Sequence, residues 1–202
     1  MYDIIGSINR KLSYYKRKGG IMEIIHEIQE RRSVRKYKSD RVEEKDILQI
    51  IEAARLAPSG SNTQPWRFVI IKDEKMKAKI VESDHQQKWM LLAPVFIVCI
   101  ADIRSRMEEW QTLELDETSC SPELKQIIRD TSIAISYMLL EAKHIGLDTC
   151  WTGWYDQKEM KSVLGLPSYM YVSGIITVGY GDEKPTQRPR MSVDEILRYE
   201  KW

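Results

Sequence analysis

Apolar residues recur every three or four positions in several stretches of the chain, and this spacing predicts helices with one buried face. Ile47, Ile50, Ile51 and Ala54 show the pattern most clearly. The stretch from Ile133 to Ala142 is apolar nearly all round, which predicts a central, buried helix. The predicted helices span residues 21–31, 43–56, 74–82, 122–145 and 157–164, and a last one follows Ser192.

Short runs of β-branched and other apolar residues predict four strands. The run from Val95 to Ala101 is apolar at every position, which is typical of a strand buried on both faces. The predicted strands span residues 67–72, 95–101, 149–153 and 171–180. Because helices and strands follow one another in mixed order, the pattern indicates an α+β (mixed α/β) fold with more helix than sheet.

Two stretches fit this pattern poorly. Residues 1–20 show little periodicity and contain the basic run 16–18. We expect residues 1–21 to form a flexible or surface-docked extension, and residues 22–202 to form one domain. Residues 102–121 are polar and have no clear period, so we expect a mobile excursion there.

The composition argues against several classes of partner. Hydrophobic residues make up 43% of the chain and charged residues 30%, as in soluble globular proteins. The formal net charge of +1 speaks against strong attraction to nucleic acid or to a membrane surface. The longest apolar run, 90–101, is too short to span a bilayer, and the N-terminus lacks the apolar core of a secretory signal. We therefore expect a cytoplasmic protein with no nucleic-acid or membrane partner.

The cysteines support neither a disulfide framework nor a metal site. Cys99, Cys120 and Cys150 are odd in number and widely spaced, and no CxxC or His/Cys ligand spacing occurs. We interpret them as buried thiols in a reducing compartment. The three histidines have no serine or cysteine partner in a nucleophile motif, so no metal and no side-chain nucleophile is expected.

Three other stretches could carry chemistry. Residues 57–68 join a predicted helix to a predicted strand with small polar residues, one glycine and two prolines. Such a loop is either an ordinary connection or one whose backbone approaches a ligand closely. Residues 31–35 and 184–190 are basic, and each is either solvated surface or an anion site.

Aromatic residues gather around Gly153, where Trp151, Trp154 and Tyr155 are its neighbours. They fit either packing at a strand end or contact with a flat ligand. No GxGxxG follows a strand and no GxxxxGK[ST] occurs, which argues against a Rossmann dinucleotide site and a nucleotide triphosphatase. A chain without a strong nucleophile, a metal cage or a nucleotide motif indicates chemistry supplied by a cofactor.

Several of these stretches together resemble a known family. Residues 31–37 and 57–68 resemble the two N-terminal signatures of the FMN-dependent nitroreductase family. Further matches, in the family's order, lie at residues 132–134, 139–142, 146–149, 151–154, 178–181 and 188–190. The resemblance covers roughly residues 22–202 and leaves out the first 21.

The resemblance implies an α+β homodimer with a central mixed or antiparallel sheet of about four to five strands flanked by helices. It also implies a C-terminal segment exchanged between subunits, and FMN bound at their interface. The residues expected to hold the flavin and its phosphate from one subunit are Arg31, Arg32, Ser33, Arg35, Arg188 and Arg190. Those expected to reach it from the other subunit are Pro58, Ser59, Gly60 and Asn62. The backbone N–H groups expected to meet flavin N5, where hydride arrives and leaves, are those of Thr152 and Gly153.

A few positions depart from the family pattern. Gly60 replaces a second serine that many members carry, and Thr152 replaces an acidic residue. Residues 83–87 do not reproduce the family's amide or lysine contacts to the flavin pyrimidine, and that side of the site stays unassigned. Arg35, by contrast, falls where the family places a cation near flavin N1 and O2.

The function implied by the resemblance is that of an NAD(P)H-dependent FMN oxidoreductase. It would transfer hydride from NADH or NADPH through flavin N5 to a nitroaromatic, quinone or related acceptor by a ping-pong mechanism. A flavin carrier or sensor without turnover is the alternative, motivated by the short chain and by Thr152. Trp110 is expected either to cover the flavin as part of a substrate lid or to anchor its segment to the core.

Overall fold

The computed structural model describes residues 24–202, and a four-stranded antiparallel sheet organises residues 31–202. The strands are β1 (Trp66–Ile71), β2 (Val95–Asp102), β3 (Asp148–Thr152) and β4 (Met170–Gly179). They lie in the order β1-β2-β4-β3, so β1 and β3 form the two edges. All three strand pairs are antiparallel, which confirms the predicted α+β class and the strand count.

Six α-helices lie within the described residues. They are α1 (His26–Glu30), α2 (Glu44–Arg55), α3 (Glu74–Ser83), α4 (Pro122–His144), α5 (Gln157–Leu164) and α6 (Val193–Ile196). Helix α1 lies outside residues 31–202, the unit that holds all the other elements. Among residues 24–202, no helix is long and apolar enough to cross a membrane. The expectation of a flexible extension over residues 1–21 falls outside the described residues.

The start of α4 follows its sequence signals. The Ser121 hydroxyl oxygen accepts the N–H of Leu124 at 3.2 Å, and Pro122 begins the helix. Such a cap satisfies one of the N–H groups that have no partner within the helix, and proline has none to satisfy. The helix ends at His144, shortly before Gly146, as the sequence predicts.

Every residue of β2 is buried, as the sequence predicts. Because successive side chains of a strand point to opposite faces, β2 serves two apolar layers. Ile97 and Cys99 pack with residues of α2 and α4, whereas Phe96 and Val98 pack with residues of α3 and α5. The sheet of residues 31–202 is therefore covered by helices on both faces.

Two predictions of burial are wrong. Ile133 and Tyr137 of α4 are 38% and 41% exposed, although the stretch from Ile133 to Ala142 was predicted to be buried all round. Helix α4 packs against the sheet and against α2, but the face that carries Ile133 and Tyr137 stays partly exposed, so an apolar patch remains on the surface. Cys99 and Cys150 are buried, but Cys120 is exposed because it lies in the polar segment before α4.

The segment from 102 to 121 is attached to the core, unlike the predicted excursion. The side chains of Ile103 and Leu115 are buried in an apolar cluster that includes residues of α4. Trp110 is half-buried, and its ring lies edge-on to that of Tyr169 with 5.1 Å between ring centres. These anchoring residues are spaced irregularly, so they produce no helical or strand period.

Candidate functional site

The basic segment 31–35 is tied to the outer edge of β3 and to the end of β4. The N–H of Val34 donates to the carbonyl of Thr149 at 3.0 Å, and Tyr37 forms a bridge with Gly181. The Val34 and Tyr37 side chains are buried, whereas Arg35 between them is exposed. The backbone that carries the arginines is therefore held in place before any ligand binds.

A cavity of about 340 Å³ opens beside this segment. Its lining residues come from two distant stretches of the chain: Arg31, Arg32, Ser33, Arg35, Pro185, Thr186, Arg188 and Arg190. The structure thus brings together all six residues predicted to hold the flavin and its phosphate from one side. None of the described lining residues is acidic, so five guanidinium groups surround one space with no carboxylate in the lining.

The buried thiol of Cys150 lies close to this cluster. Burial raises the pKa of the thiol, and the charges of Arg35 and Arg31 and a hydrogen bond with Ser33 offset only part of that rise. The thiol therefore stays neutral and adds no negative charge beneath the arginines. The Glu183 carboxylate accepts the Arg35 N–H at 2.6 Å, but five guanidinium groups line the cavity. The cavity therefore keeps an excess of positive charge, which suits an anionic ligand group.

The predicted N5 donors lie at the far end of β3. Thr152 is its last residue and is buried, whereas Gly153 is exposed and has open space where a side chain would begin. A backbone N–H at such a position is accessible to a ligand from outside. Thr149, beside the cavity, and Thr152 are three residues apart, which is about 10 Å along an extended strand.

Thr152 takes part in a hydrogen-bond network that sequence reasoning missed. Its hydroxyl donates to a carboxylate oxygen of Asp84 at 2.8 Å and accepts from the side-chain amide of Gln87 at 2.9 Å. The next aromatic residue, Trp154, is 72% exposed, and its ring centre lies 4.3 Å from that of His85. The part of residues 83–87 that the resemblance left unassigned therefore borders the end of β3.

The loop 58–62 is held by contacts to α4 and to the segment before it. The N–H of Gly60 donates to a carboxylate oxygen of Asp130 at 3.1 Å, and its carbonyl accepts from Arg106 at 2.9 Å. Ser61 and Asn62 both have a positive φ, of 54° and 56°. These bonds give the loop a defined shape that leaves Pro58 and Asn62 exposed.

The loop and the arginine cavity lie at opposite edges of the sheet. The loop leads into β1, whereas the arginine segment pairs with β3. Three strand spacings separate these edges, a distance of about 14 Å. The loop residues Pro58, Ser59, Gly60 and Asn62 are accordingly absent from the residues that line the cavity.

Some of these residues could be predicted from the sequence, and others could not. Pro185 and Thr186 belong to a basic stretch that the sequence already marks, so their place in the cavity needed no further signal. Asp84 and Arg106 act through partners far away in the chain, and no motif or period distinguishes them. Among residues 24–202, no three His, Cys, Asp or Glu side chains gather in a way that could hold a metal ion.

Known proteins resemble this chain in sequence. The model of the Nitroreductase family matches residues 28–180. An Archaeoglobus fulgidus protein named as an NADH dehydrogenase/NAD(P)H nitroreductase is 30% identical over 187 residues, covering 89% of this chain and 99% of that protein. A Bacillus subtilis protein named FMN reductase [NAD(P)H] is 27% identical over 183 residues, covering 88% of this chain and 74% of that protein.

The fold is likewise shared with solved structures. A Desulfovibrio desulfuricans protein, described as a nitroreductase in complex with FMN, superposes with a TM-score of 0.73 at 24% identity. The match covers 87% of this chain and 95% of that one. Because the family model spans most of the chain and the Archaeoglobus relative matches over nearly its whole length, the chain belongs to the nitroreductase family.

Proposed function

We propose that this protein is an FMN-dependent oxidoreductase that takes hydride from NADH or NADPH and passes it to a nitroaromatic, quinone or related acceptor in a ping-pong sequence. The observation that carries the proposal is the cavity of about 340 Å³ lined by five arginines. Relatives named FMN reductase and NAD(P)H nitroreductase support the choice of cofactor and hydride donor. We place this activity in the cytoplasm, with small molecules as partners and neither nucleic acid nor membrane.

The donor set of the cavity fits the phosphate of FMN. This phosphate is a dianion at neutral pH, and guanidinium groups offer paired N–H donors that match its oxygens. Ser33 and Thr186 add hydroxyl groups to the same space. A hydrogen bond to a charged group contributes about 1.5–3 kcal/mol, so a few such contacts account for tight binding.

Strand β3 then determines where the flavin ring would lie. The ribityl chain of FMN separates phosphate from ring by a length of the same order as the distance from Thr149 to Thr152. The backbone N–H groups of Thr152 and Gly153 would donate toward N5, and Arg35 would place a positive charge near N1 and O2. FMN, when bound, supplies the redox chemistry by accepting and releasing a hydride equivalent at N5. The protein holds and orients the ring and keeps donor and acceptor in one place.

A second copy of the chain would complete the site. Because the loop 58–62 and the arginines lie at opposite sheet edges, we propose a homodimer in which Arg31 and Asn62 contact one FMN from different subunits. Residues 191–202 are exposed along their whole length although six of them are apolar or aromatic, which suits a segment exchanged with a partner subunit. The exposed Ile133 and Tyr137 of α4 offer further apolar surface.

The test is anaerobic reduction of the purified protein. Protein as isolated, or apoprotein reconstituted with FMN, should show the flavin absorbance near 450 nm, and NADH or NADPH should bleach it. Menadione or a nitrofuran added next should restore the colour, and steady-state rates should give the parallel double-reciprocal lines of a ping-pong sequence. Bound FMN that neither nucleotide reduces would indicate a carrier or sensor and would overturn the proposal.

A further inference from the structure

Three polar side chains form a closed triangle at the end of β3. Asp84 accepts from the hydroxyl of Thr152 at 2.8 Å and from the amide of Gln87 at 2.9 Å. The same amide donates to the Thr152 hydroxyl oxygen at 2.9 Å. Asp84 has no exposed surface and Thr152 is 7% exposed. The triangle is therefore a polar network, buried at Asp84 and Thr152 and half-buried at Gln87, beside the predicted N5 donors.

The orientation of the Gln87 amide follows from Trp89. Its indole N–H, which can only donate, points at the side-chain oxygen of Gln87 at 3.2 Å. The amide nitrogen of Gln87 consequently faces Asp84 and Thr152 and donates to both. The Thr152 hydroxyl accepts from Gln87 and donates its single proton to Asp84. Both oxygens of Asp84 thus accept, which is the arrangement of an ionised carboxylate.

An ionised carboxylate at this buried position lowers the stability of the fold. Burial raises the pKa of Asp84, and the hydrogen bonds from Thr152 and Gln87 and the charge of His85 offset that rise only in part. The chain that follows is strained, because His85 and Gln86 have positive φ values of 49° and 55°. A buried charge on strained backbone is typical of a functional site, since neither feature stabilises the fold.

The network also reaches the arginine cavity. The guanidinium carbon of Arg35, which lines that cavity, lies 5.5 Å from the centre of the Trp89 ring. Contacts thus run from Arg35 through Trp89 and Gln87 to Asp84 and Thr152. Under the proposed function, these positions border opposite sides of the flavin ring, the N1 side at Arg35 and the N5 side at Thr152.

We propose that Asp84 is a positioning residue that lowers the reduction potential of bound FMN, acting through Thr152. Reduced FMN carries more negative charge than oxidised FMN, and a buried carboxylate behind the N5 donors disfavours that extra charge. The network also fixes the Thr152 hydroxyl and so restrains the residue whose N–H would face N5. The inference rests on the proposed function, because Asp84 has this effect only if FMN binds beside Thr152.

The test compares Asp84→Asn with Glu82→Gln by potentiometric titration of the FMN-loaded protein. Asn keeps the size of Asp84 and one acceptor oxygen, but it removes the buried charge. Glu82 is exposed near the end of α3, so Gln there removes one charge from the same region without touching Thr152. We expect Asp84→Asn to bind reduced FMN about tenfold more tightly relative to oxidised FMN, a rise in potential of about 30 mV for a two-electron couple. Glu82→Gln should leave the potential unchanged.

Two variants of Thr152 test the coupling. Thr152→Ser keeps the donor to Asp84 and should retain the wild-type potential. Thr152→Val removes a donor that favours the ionised carboxylate, so the potential should rise in the same direction as in Asp84→Asn. Equal loss of affinity for oxidised and reduced FMN in Asp84→Asn, with the potential unchanged, would mean a structural role only and would overturn the inference. Failure of the wild-type protein to bind FMN would instead reject the proposed function.

Discussion

The guanidinium of Arg106 occupies the space that a side chain at Gly60 would need. It donates to the Gly60 carbonyl at 2.9 Å and lies 3.9 Å from the carboxylate of Asp130, which in turn accepts the Gly60 N–H. A Cβ atom built on Gly60 would overlap the Arg106 guanidinium. The departure from the family's serine at this position is therefore matched by an arginine that fills the gap.

Gly60→Ser should accordingly destabilise the protein. The end of the flexible Arg106 side chain would have to move away and lose its hydrogen bond to the Gly60 carbonyl, which costs about 0.5–1.5 kcal/mol. Urea unfolding of the two proteins measures the difference. In an Arg106→Ala background the same substitution should cost at least about 0.5 kcal/mol less, because the obstacle is gone. Strictly additive effects of the two substitutions would contradict the contact.

Removing arginines from the cavity should weaken FMN binding without unfolding the protein. Arg188 and Arg190 are exposed, so neither is needed for the core. Each Arg→Ala substitution removes charge-assisted hydrogen bonds to the phosphate, and affinity should fall by about 10-fold to 100-fold. Fluorescence quenching of FMN by apoprotein measures this loss.

Lysine at the same position provides the control for charge. Arg188→Lys keeps the positive charge but loses the paired donors, so its affinity should lie between those of wild type and Arg188→Ala. The melting temperature of the apoprotein should be unchanged in all of these variants. If the Arg188→Ala, Arg190→Ala double variant binds FMN with unchanged affinity, the FMN phosphate does not bind in this cavity.

The strands and the arginines could be predicted from the sequence because their signals are local. The apolar run that forms β2 has no polar position, so it predicts a strand buried on both faces. The basic stretches that contain Arg31 and Arg188 are recognisable from their clustered positive charges. The two stretches were expected to meet only because of the family resemblance. Composition and spacing alone left each of them as either surface or anion site.

The parts that escaped prediction depend on distant partners. Asp84 is 68 positions from Thr152, and a hydrogen bond between them leaves no period in the sequence. Trp110 contacts Tyr169, 59 positions away, so a polar-looking segment proved to be anchored. Ile133 is apolar like a core residue but is partly exposed, and in the proposed homodimer a partner subunit would cover it.

Stability should depend on pH through Asp102 at the end of β2. Burial raises the pKa of this carboxyl, but hydrogen bonds from Arg104 and the charges of Arg104 and Arg67 outweigh burial and hold the pKa below its ordinary value of 3.8. A carboxyl whose pKa is lowered by folding stabilises the protein above its unfolded pKa, and this stabilisation is lost as the pH falls through the folded value.

Asp102→Asn should remove this dependence. The difference in unfolding free energy between wild type and Asp102→Asn should be constant from about pH 7 to about pH 5 and should shrink below about pH 4. Urea unfolding at a series of pH values gives the difference directly. A difference that stays constant down to pH 3 would show that the contacts to Arg104 do not favour the ionised carboxylate.

Trp110→Ala should distinguish the two roles expected of Trp110, a substrate lid or an anchor of its segment to the core. The contact with Tyr169 supports the anchor, and its loss should lower the free energy of unfolding by about 1–3 kcal/mol, since the ring is only half-buried. An anchor predicts this loss with the KM for menadione little changed. A lid predicts the reverse, with KM altered and stability kept, and that result would assign Trp110 to the substrate site.

The shared site can be tested by mixing two defective subunits. Arg188→Glu repels the phosphate from one side, and Asn62→Asp adds a negative charge from the loop while keeping the size of the side chain and its tolerance of positive φ. If Arg188 and Asn62 serve one FMN from different subunits, a hybrid dimer has one doubly defective site and one intact site. Unfolding and refolding the two variants together should then restore about a quarter of the wild-type FMN capacity, whereas each variant refolded alone restores little. If both residues served the same FMN from one subunit, no intact site could arise, and mixing would restore nothing.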